Sequence, residues 1–538
     1  MRDVKVELAH TYIALMVLIA AYANAAFSES LDKRDRRFTK TYYIDPSASK
    51  NGDGTVAHPF NSWAYLSIQA GDTYLQKAGT VYRGTIDIHD LVANPVGTFI
   101  GRYGNGSAPQ INLFSNVDSW TLVFEYVYLS RINWTGGEVE QDHKPFRFIP
   151  WNGSVQSTFP ASANGIYTFD PYQRTLYLLA SGSPPGRHNI QVAHGDFGIT
   201  IRNSVNVTVS GLEITGASRH GILVSSSQNV TLTHLSIHDV GGQWDGSNRA
   251  YLGNGIEFAD GSSNGAVKDS QIWDIFDSGV TAQLYDPTKP NASGFVFNGN
   301  QIYRNGFAAV ELAGIAPAVT VSGVTISDNA IHDNGMGWSG DRGGKGHGIY
   351  EWTTFGSNSA IKNVMISGNH IYSNAGTGVD ADQAHGDITL KHNIIDHNQH
   401  NGVFLSDYQT RNGDRYIIDE NHIIFNVDSG VQLNNWGSSG FSFTMNTVAD
   451  NGIHGDGNFV TDGVGSGINI SHNIFTSHYG PAATALYNYW AGGNVDYNTY
   501  TGLASSVLSA EHQIYDLEHV GVYQGLTAQD IHSSFSGS

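Results

Sequence analysis

The stretch VTISDNAIHDNG (324–335) decides the fold, because it returns along the chain: VMISGNHIYSNAGTGV (364–379), ITLKHNIIDHNQHNGV (388–403), YIIDENHIIFNVDSGV (416–431), FSFTMNTVADNG (441–452) and INISHNIFTSH (468–478). Weaker copies stand earlier, VTVSGLEITGASRHGI (207–222) and VTLTHLSIHDVGG (230–242). Each copy runs from a short β-branched stretch through an Asn and two apolar residues to a polar pair and a second apolar run. The equivalent asparagines are Asn300, Asn329, Asn369, Asn393, Asn421, Asn446 and Asn473. A period of roughly 25 residues holding three short strands is one coil of a parallel β-helix, whose coils cannot bury their own apolar face and therefore stack. Alternation within the strands turns Val324, Ile326 and Ile331 inward and Thr325 and Ser327 outward. The recurring Asn suits a turn where its amide bonds backbone and the Asn of the next coil. Gly335, Gly402 and Gly430 suit sharp corners. An antiparallel sandwich would show hairpins and no constant Asn.

Composition agrees. Charged residues make up 14%, with 63 Gly and no Cys among 538 residues, a turn-rich, strand-forming balance. Lys+Arg total 28 against 48 Asp+Glu, a net charge of −20, which excludes the basic footprint of a nucleic-acid binder. Hydrophobics at 40% and aromatics at 11% exclude wholesale disorder. Without cysteine there is no disulfide scaffold, thiolate metal site or thiol nucleophile. The run IALMVLIAAY (13–22) follows Arg2 and Lys5 and precedes Ala23-Asn24-Ala25. Residues 1–25 therefore read as a secretory signal, and the expected product is a secreted or periplasmic monomer without membrane association.

The opening TYYIDPSASKNGDGTVAHPFNSWAYLSIQAGDTYLQKAGTVYRGTI (41–86) resembles that of many secreted right-handed parallel β-helix carbohydrate-active enzymes. The match lies in Tyr42-Tyr43, Asp45-Pro46, Gly54-Thr55, Pro59-Phe60, Gly71-Asp72-Thr73 and Gly79-Thr80-Val81-Tyr82-Arg83. With the repeats it implies a right-handed β-helix over 40–502. It also implies a reaction on a poly- or oligosaccharide, since this superfamily includes lyases, epimerases and glycoside hydrolases. Residues 138–195, rich in Pro and in strand-like IYTFD and TLYLLA, read as a β-rich insertion walling a groove. Residues 503–538 lack the Asn pattern and read as a C-terminal cap.

Aligning the coils on their Gly-apolar step brings GIEFAD (255–260), GVTAQL (279–284), AVELAG (309–314), GIYEW (348–352), GVDAD (378–382), GVFLSD (402–407) and GVQLNN (430–435) into one sheet. Its outward column reads Glu257, Thr281, Glu311, Tyr350, Asp380, Phe404, Gln432, and two positions on stand Gln283, Trp352, Asp382, Ser406 and Asn434. Carboxylates, aromatics and amides without basic residues suit a sugar site. Coils lie about 4.8 Å apart, so carboxyls on neighbouring coils approach the roughly 5–5.5 Å of a retaining glycosidase pair, and those two coils apart, at about 9–10 Å, the upper limit of an inverting pair. Asp380, Asp382, Glu311 and Glu351 are the candidate catalytic carboxyls, with Glu351 out of phase with strict alternation. Asp387 joins them because some β-helix lacto-N-biosidases are similar in pairing aspartates seven residues apart. Loops that rim the column add candidate sugar contacts: Trp244, Arg342, Lys345, His347, Tyr350, Trp352 and Asp407, beside Glu257 and Gln283.

A glycoside hydrolase acting through paired carboxylates is the expectation, with no cofactor. A polysaccharide lyase or uronate epimerase would instead need a base such as Lys345, His347 or Tyr350 and a cation, calcium or Arg342, to neutralise a uronate. The epimerase-like Tyr285-Asp286-Pro287 is followed by Thr288 instead of His, an incomplete match. A non-catalytic glycan-binding protein is the third reading. The histidines at repeat turns, His332, His370, His392, His422 and His472, read as structural, and no HExxH, GxSxG or P-loop occurs.

Overall fold

A computed structural model describes residues 40–537 apart from 93–95, 160–164, 181–183, 341–344, 355, 383–385, 408–414, 436–439, 453–456, 462–467, 479–482, 487–492, 503–507 and 511–512. The expected signal segment, 1–25, lies outside the described residues.

The chain coils as a parallel β-helix with three long faces. A 15-stranded sheet starts at Thr41–Ile44 and ends at Asn494–Asp496, and two 14-stranded sheets start at Ile86–His89 and at Val81–Tyr82. One coil shows the order: Thr320–Ser327 in the first sheet, Ala330–His332 in the third, His347–Thr353 in the second, then Ala360–Ser367 back in the first. Register is kept from coil to coil, Val324 beside Val364 beside Ile388 beside Tyr416. The inward residues of all three faces form one continuous core in which Val324, Ile326 and Ile331 are buried, as their alternation predicts.

Two asparagine ladders staple the coils. In the expected one, each Oδ1 accepts both the backbone N–H and the Nδ2 of the Asn one coil earlier, as Asn393 does from Asn369 at 3.0 Å each. It runs on to Asn498. The second ladder, Asn305, Asn334, Asn374, Asn398, Asn426, Asn451 and Asn458, repeats the pattern at the next corner. The residue before each ladder Asn is left-handed, which explains why Asp328, His392, Glu420 and His472 stand there with φ between 55° and 62°. His332 stacks between Tyr303 and Tyr372, His370 contacts Asp396 at 2.7 Å and His392 contacts Glu420 at 2.8 Å.

The glycines divide into two kinds. Gly335 has φ 82°, the conformational role expected of a corner. Gly402 and Gly430 do not need positive φ. A Cβ on Gly402 would sit 2.6 Å from the Gly430 carbonyl oxygen, and one on Gly430 2.4 Å from that of Asn458. These two glycines, like Gly348 and Gly378, are fixed by the close approach of one coil to the next.

The insertion is larger than its prolines suggest. Phe114–Asn116 and Thr121–Phe124 already belong to its two small sheets, which combine with Val127–Arg131, Val139–Gln141, Ile166–Asp170, Thr175–Leu179 and Ile190–Ala193. Antiparallel pairing of Val127–Arg131 with Thr175–Leu179 and with Thr121–Phe124 takes residues 121–131 out of the coils. The insertion has its own core, which closes on the helix through Tyr251, Phe276 and Trp338. At the other end, the helix Val520–Thr527 buries Tyr523 against the last coils, and Ser534–Gly537 adds a strand to the third sheet.

Candidate functional site

The second sheet brings the predicted column together in register. Glu257 lies beside Thr281, Thr281 beside Glu311, Glu311 beside Tyr350, Tyr350 beside Asp380 and Asp380 beside Phe404. Trp352, Asp382 and Ser406 form the neighbouring column. Strand alternation turns both columns away from the core, since the intervening Val310, Leu312, Ile349, Val379 and Ala381 belong to it.

The column is recessed instead of lining an open trench: Glu257, Glu311 and Asp380 are only 4–7% exposed. Side chains from the same face cover it. The Trp352 indole Nε1 donates to Glu311 Oε1 at 2.8 Å, and the Ser278 hydroxyl donates to Oε2 at 2.8 Å. The Tyr285 hydroxyl donates to Gln283 Oε1. Lys345 Nζ donates to the Tyr350 hydroxyl at 3.2 Å and lies 4.5 Å from the centre of its ring.

Burial sets the proton occupancy of the carboxyls. It pushes Asp380 up to about 7, with Lys345 opposing and Asp382 adding to the shift. It also raises Glu311 well above the usual carboxylate range, reinforced by the charge of Asp277 and opposed by the bonds from Trp352 and Ser278. Asp382, more open, is raised by burial and pulled back by Lys345. Glu257 is raised by burial, opposed by the Nδ2 bond from Asn254 at 2.9 Å. Asp380 and Glu311 can hold a proton near neutrality, as a general acid must.

Two histidines that the sequence reading treated unequally have matching posts. His347 Nδ1 accepts the Thr377 N–H at 3.0 Å, leaving Nε2 3.5 Å from Asp380 Oδ2. His220, unmarked in the sequence, accepts the Asn254 N–H at 3.0 Å and points Nε2 at Glu257 Oε2, 3.2 Å away. Burial lowers both imidazoles to about 3, so each is neutral and presents an Nε2–H to its carboxyl. The signal was present as a repeated His-Gly-Ile, at 220–222 and 347–349.

Other candidates stand elsewhere. Glu351 pairs with Leu312 and Ala381, both core residues, so it faces into the helix. It is fully buried, neither oxygen has a hydrogen-bond partner, and burial pushes it up to about 8. The coil keeps its two-residue period through this strand, and no bulge turns Glu351 outward. Asp387 lies beyond the corner, before the first-sheet strand Ile388–Lys391, where Arg415 grips it at 3.0 and 3.2 Å and holds its pKa down. Trp244 packs on Tyr251 at the seam with the insertion, and Trp338 is buried there with its Nε1 bonded to the Asp274 carbonyl. Trp338 anchors the insertion to the helix. Arg342 and the Asp407 side chain lie outside the described residues. The 241–252 loop bridges the insertion and one end of the column: its Trp244 meets Tyr172 of the insertion, its Asp245 lies 3.7 Å from Arg219, and the Arg219 charge acts on Glu257.

The family model of the right handed beta helix region matches residues 186–363 and 291–412. A search of curated proteins found no match. Among solved structures, a complex of XylC with xylose is similar at 12% identity over 92% of this chain and 86% of that one, TM-score 0.47. A GH136 lacto-N-biosidase from Eubacterium ramulus matches at 12% identity over 93% and 68%, TM-score 0.45. The A-module of the mannuronan C-5 epimerase AlgE4 from Azotobacter vinelandii matches at 12% over 86% and 91%, TM-score 0.36.

Proposed function

We propose that this protein is an exported glycoside hydrolase that cleaves a poly- or oligosaccharide through Glu311 and Asp380. The observation that carries the reading is the pair itself: two outward, recessed carboxyls, both raised by burial, on either side of Tyr350 in one register column. Two coils separate their Cα atoms by about 9.6 Å, near the upper limit for an inverting pair with a water between carboxyl and sugar. Glu311, beside Asp277 and away from Lys345, is the proton donor to the leaving oxygen. Asp380, drawn toward its charged form by Lys345, is the base that activates water. Tyr350, Trp352 and Gln283 supply ring faces and an amide for the sugar, and His347 orients Asp380. No cofactor enters this scheme.

A lyase or epimerase reading draws support from the Lys345–Tyr350 contact, which places a cation on a phenol that could take a proton from a uronate. Glu311, Asp380 and Asp382 around that phenol would repel the uronate unless a cation such as calcium screened them. Product analysis on neutral and uronate-containing glycans separates the two. The hydrolase reading predicts new reducing ends, first formed with inverted anomeric configuration and without the ultraviolet absorbance of an unsaturated uronide. Unsaturated products, or C-5 epimers without cleavage, would refute it.

A further inference from the structure

The strand Val139–Gln141 alternates sharply: Val139 enters the core of the insertion, while Glu138 and Glu140 project from its opposite side toward the β-helix. That strand is fixed at both edges. The Glu138 N–H donates to the Gly241 carbonyl at 3.0 Å, and the Ala193 N–H donates to the Glu138 carbonyl at 2.8 Å. The two glutamates meet Asp239, next to last in the third-sheet strand Ser236–Val240 and left-handed with φ 52°. Carboxylate oxygens of Glu138, Glu140 and Asp239 all lie within 4.8 Å of one another.

Their neighbours neutralise them only in part. Glu138 is completely buried and neither of its oxygens has a hydrogen-bond partner. His238 Nδ1 contacts Asp239 at 2.5 Å, but its Nε2 is shared with Glu213 at 3.3 Å. Arg304 is committed to Asp274 at 2.9 Å, and Asp274 adds a further negative charge nearby. The exposed His143 stands 3.8 Å from Glu140. An unpartnered carboxyl facing two others in a buried pocket is costly unless a proton or a cation sits among them.

We propose that Glu138, Glu140 and Asp239 bind a hard divalent cation, calcium, that staples the insertion to the β-helix. The donor set is all oxygen, which selects against zinc and copper. Calcium tolerates irregular geometry and completes its shell with water, whereas magnesium demands a near-ideal octahedron. Two ligands come from the insertion and one from the helix, so the ion would join the two cores directly. This site is separate from the Glu311–Asp380 column.

The test uses the full chain, stripped with chelator and titrated with calcium alone. Expected is a saturable rise in melting temperature of roughly 3 °C or more at excess calcium. Terbium, a calcium surrogate, should give luminescence sensitised by Trp338, whose Nε1 bonds the Asp274 carbonyl beside the cluster, and calcium should quench it by displacement. Glu138→Gln and, independently, Asp239→Asn should abolish both responses, while Asp380→Asn should retain them. A melting temperature indifferent to calcium without terbium luminescence in the wild-type protein would overturn the site and leave a shared proton as the occupant. Responses that persist in a folded Glu138→Gln protein would overturn it equally.

Discussion

Replacing Asn393 by Ala tests whether the ladder holds the coils together. Its Oδ1 accepts the backbone N–H and Nδ2 of Asn369, and its Nδ2 donates to the Ile366 carbonyl at 2.8 Å and to Asn421 Oδ1 at 2.9 Å. Alanine removes these four bonds in a fully buried position, and water has no route to replace them. The Asn369 N–H is left with no acceptor and the Ile366 carbonyl loses a donor. At about 1 kcal/mol per bond, the four bonds put the expected cost at about 4 kcal/mol. Equilibrium urea unfolding followed by tryptophan fluorescence measures it. The next residue, Ile394, is 45% exposed, and Ile394→Thr serves as a surface control expected within about 0.5 kcal/mol of wild type. An Asn393→Ala loss under about 1 kcal/mol would show that the ladder decorates the stack without holding it.

Three further outcomes follow. Glu351→Leu puts an apolar side chain where a partnerless carboxyl now sits, so melting temperature should rise, most above pH 8 where the wild-type group ionises; a lower melting temperature would place Glu351 in a functional network. Asp380 has a folded pKa raised from 3.8 to about 7, so its contribution to stability is full below about pH 4 and is lost as pH rises through about 7. Asp380→Asn should therefore show a decline in unfolding free energy between pH 5 and 8 that is smaller than wild type by about 2.5 kcal/mol, and an unchanged decline would contradict the recess. Gly402→Ala forces a Cβ to 2.6 Å from the Gly430 carbonyl oxygen, and thermal unfolding should show a loss of about 2 kcal/mol or more; a neutral substitution would mean that the coils separate easily.

Much of the fold was written in the repeat, because a solenoid reuses one local rule: inward Val324 and Ile326, a turn Asn, and a Gly where coils approach. The register column Glu257–Glu311–Tyr350–Asp380 followed from that rule alone. Four features did not. Glu351 was a catalytic candidate although out of phase with the alternation, and the strand puts it in an interior slot that alternation assigns to an apolar residue. Asp387 is close in sequence to Asp380, yet a corner and Arg415 remove it from the column. The insertion begins at Phe114 because antiparallel partners such as Thr175–Leu179 and Val127–Arg131 are set by tertiary pairing, which period-two alternation does not encode. Recess was illegible for the same reason: exposure of a column depends on Trp352, Tyr285 and Lys345 folding over it, and their directions are decided by packing.

The account turns on Glu311 and Asp380 acting as one acid–base pair, and the most direct measurement is kcat/KM of Glu311→Gln and Asp380→Asn on a glycan that the wild-type protein hydrolyses, with circular dichroism confirming the β-helix in each. Each variant is predicted to lose about 10²–10⁴-fold, with Glu311→Gln partly rescued on a substrate whose leaving group needs no proton. A folded variant at either position that keeps activity within a few-fold of wild type would contradict the pairing.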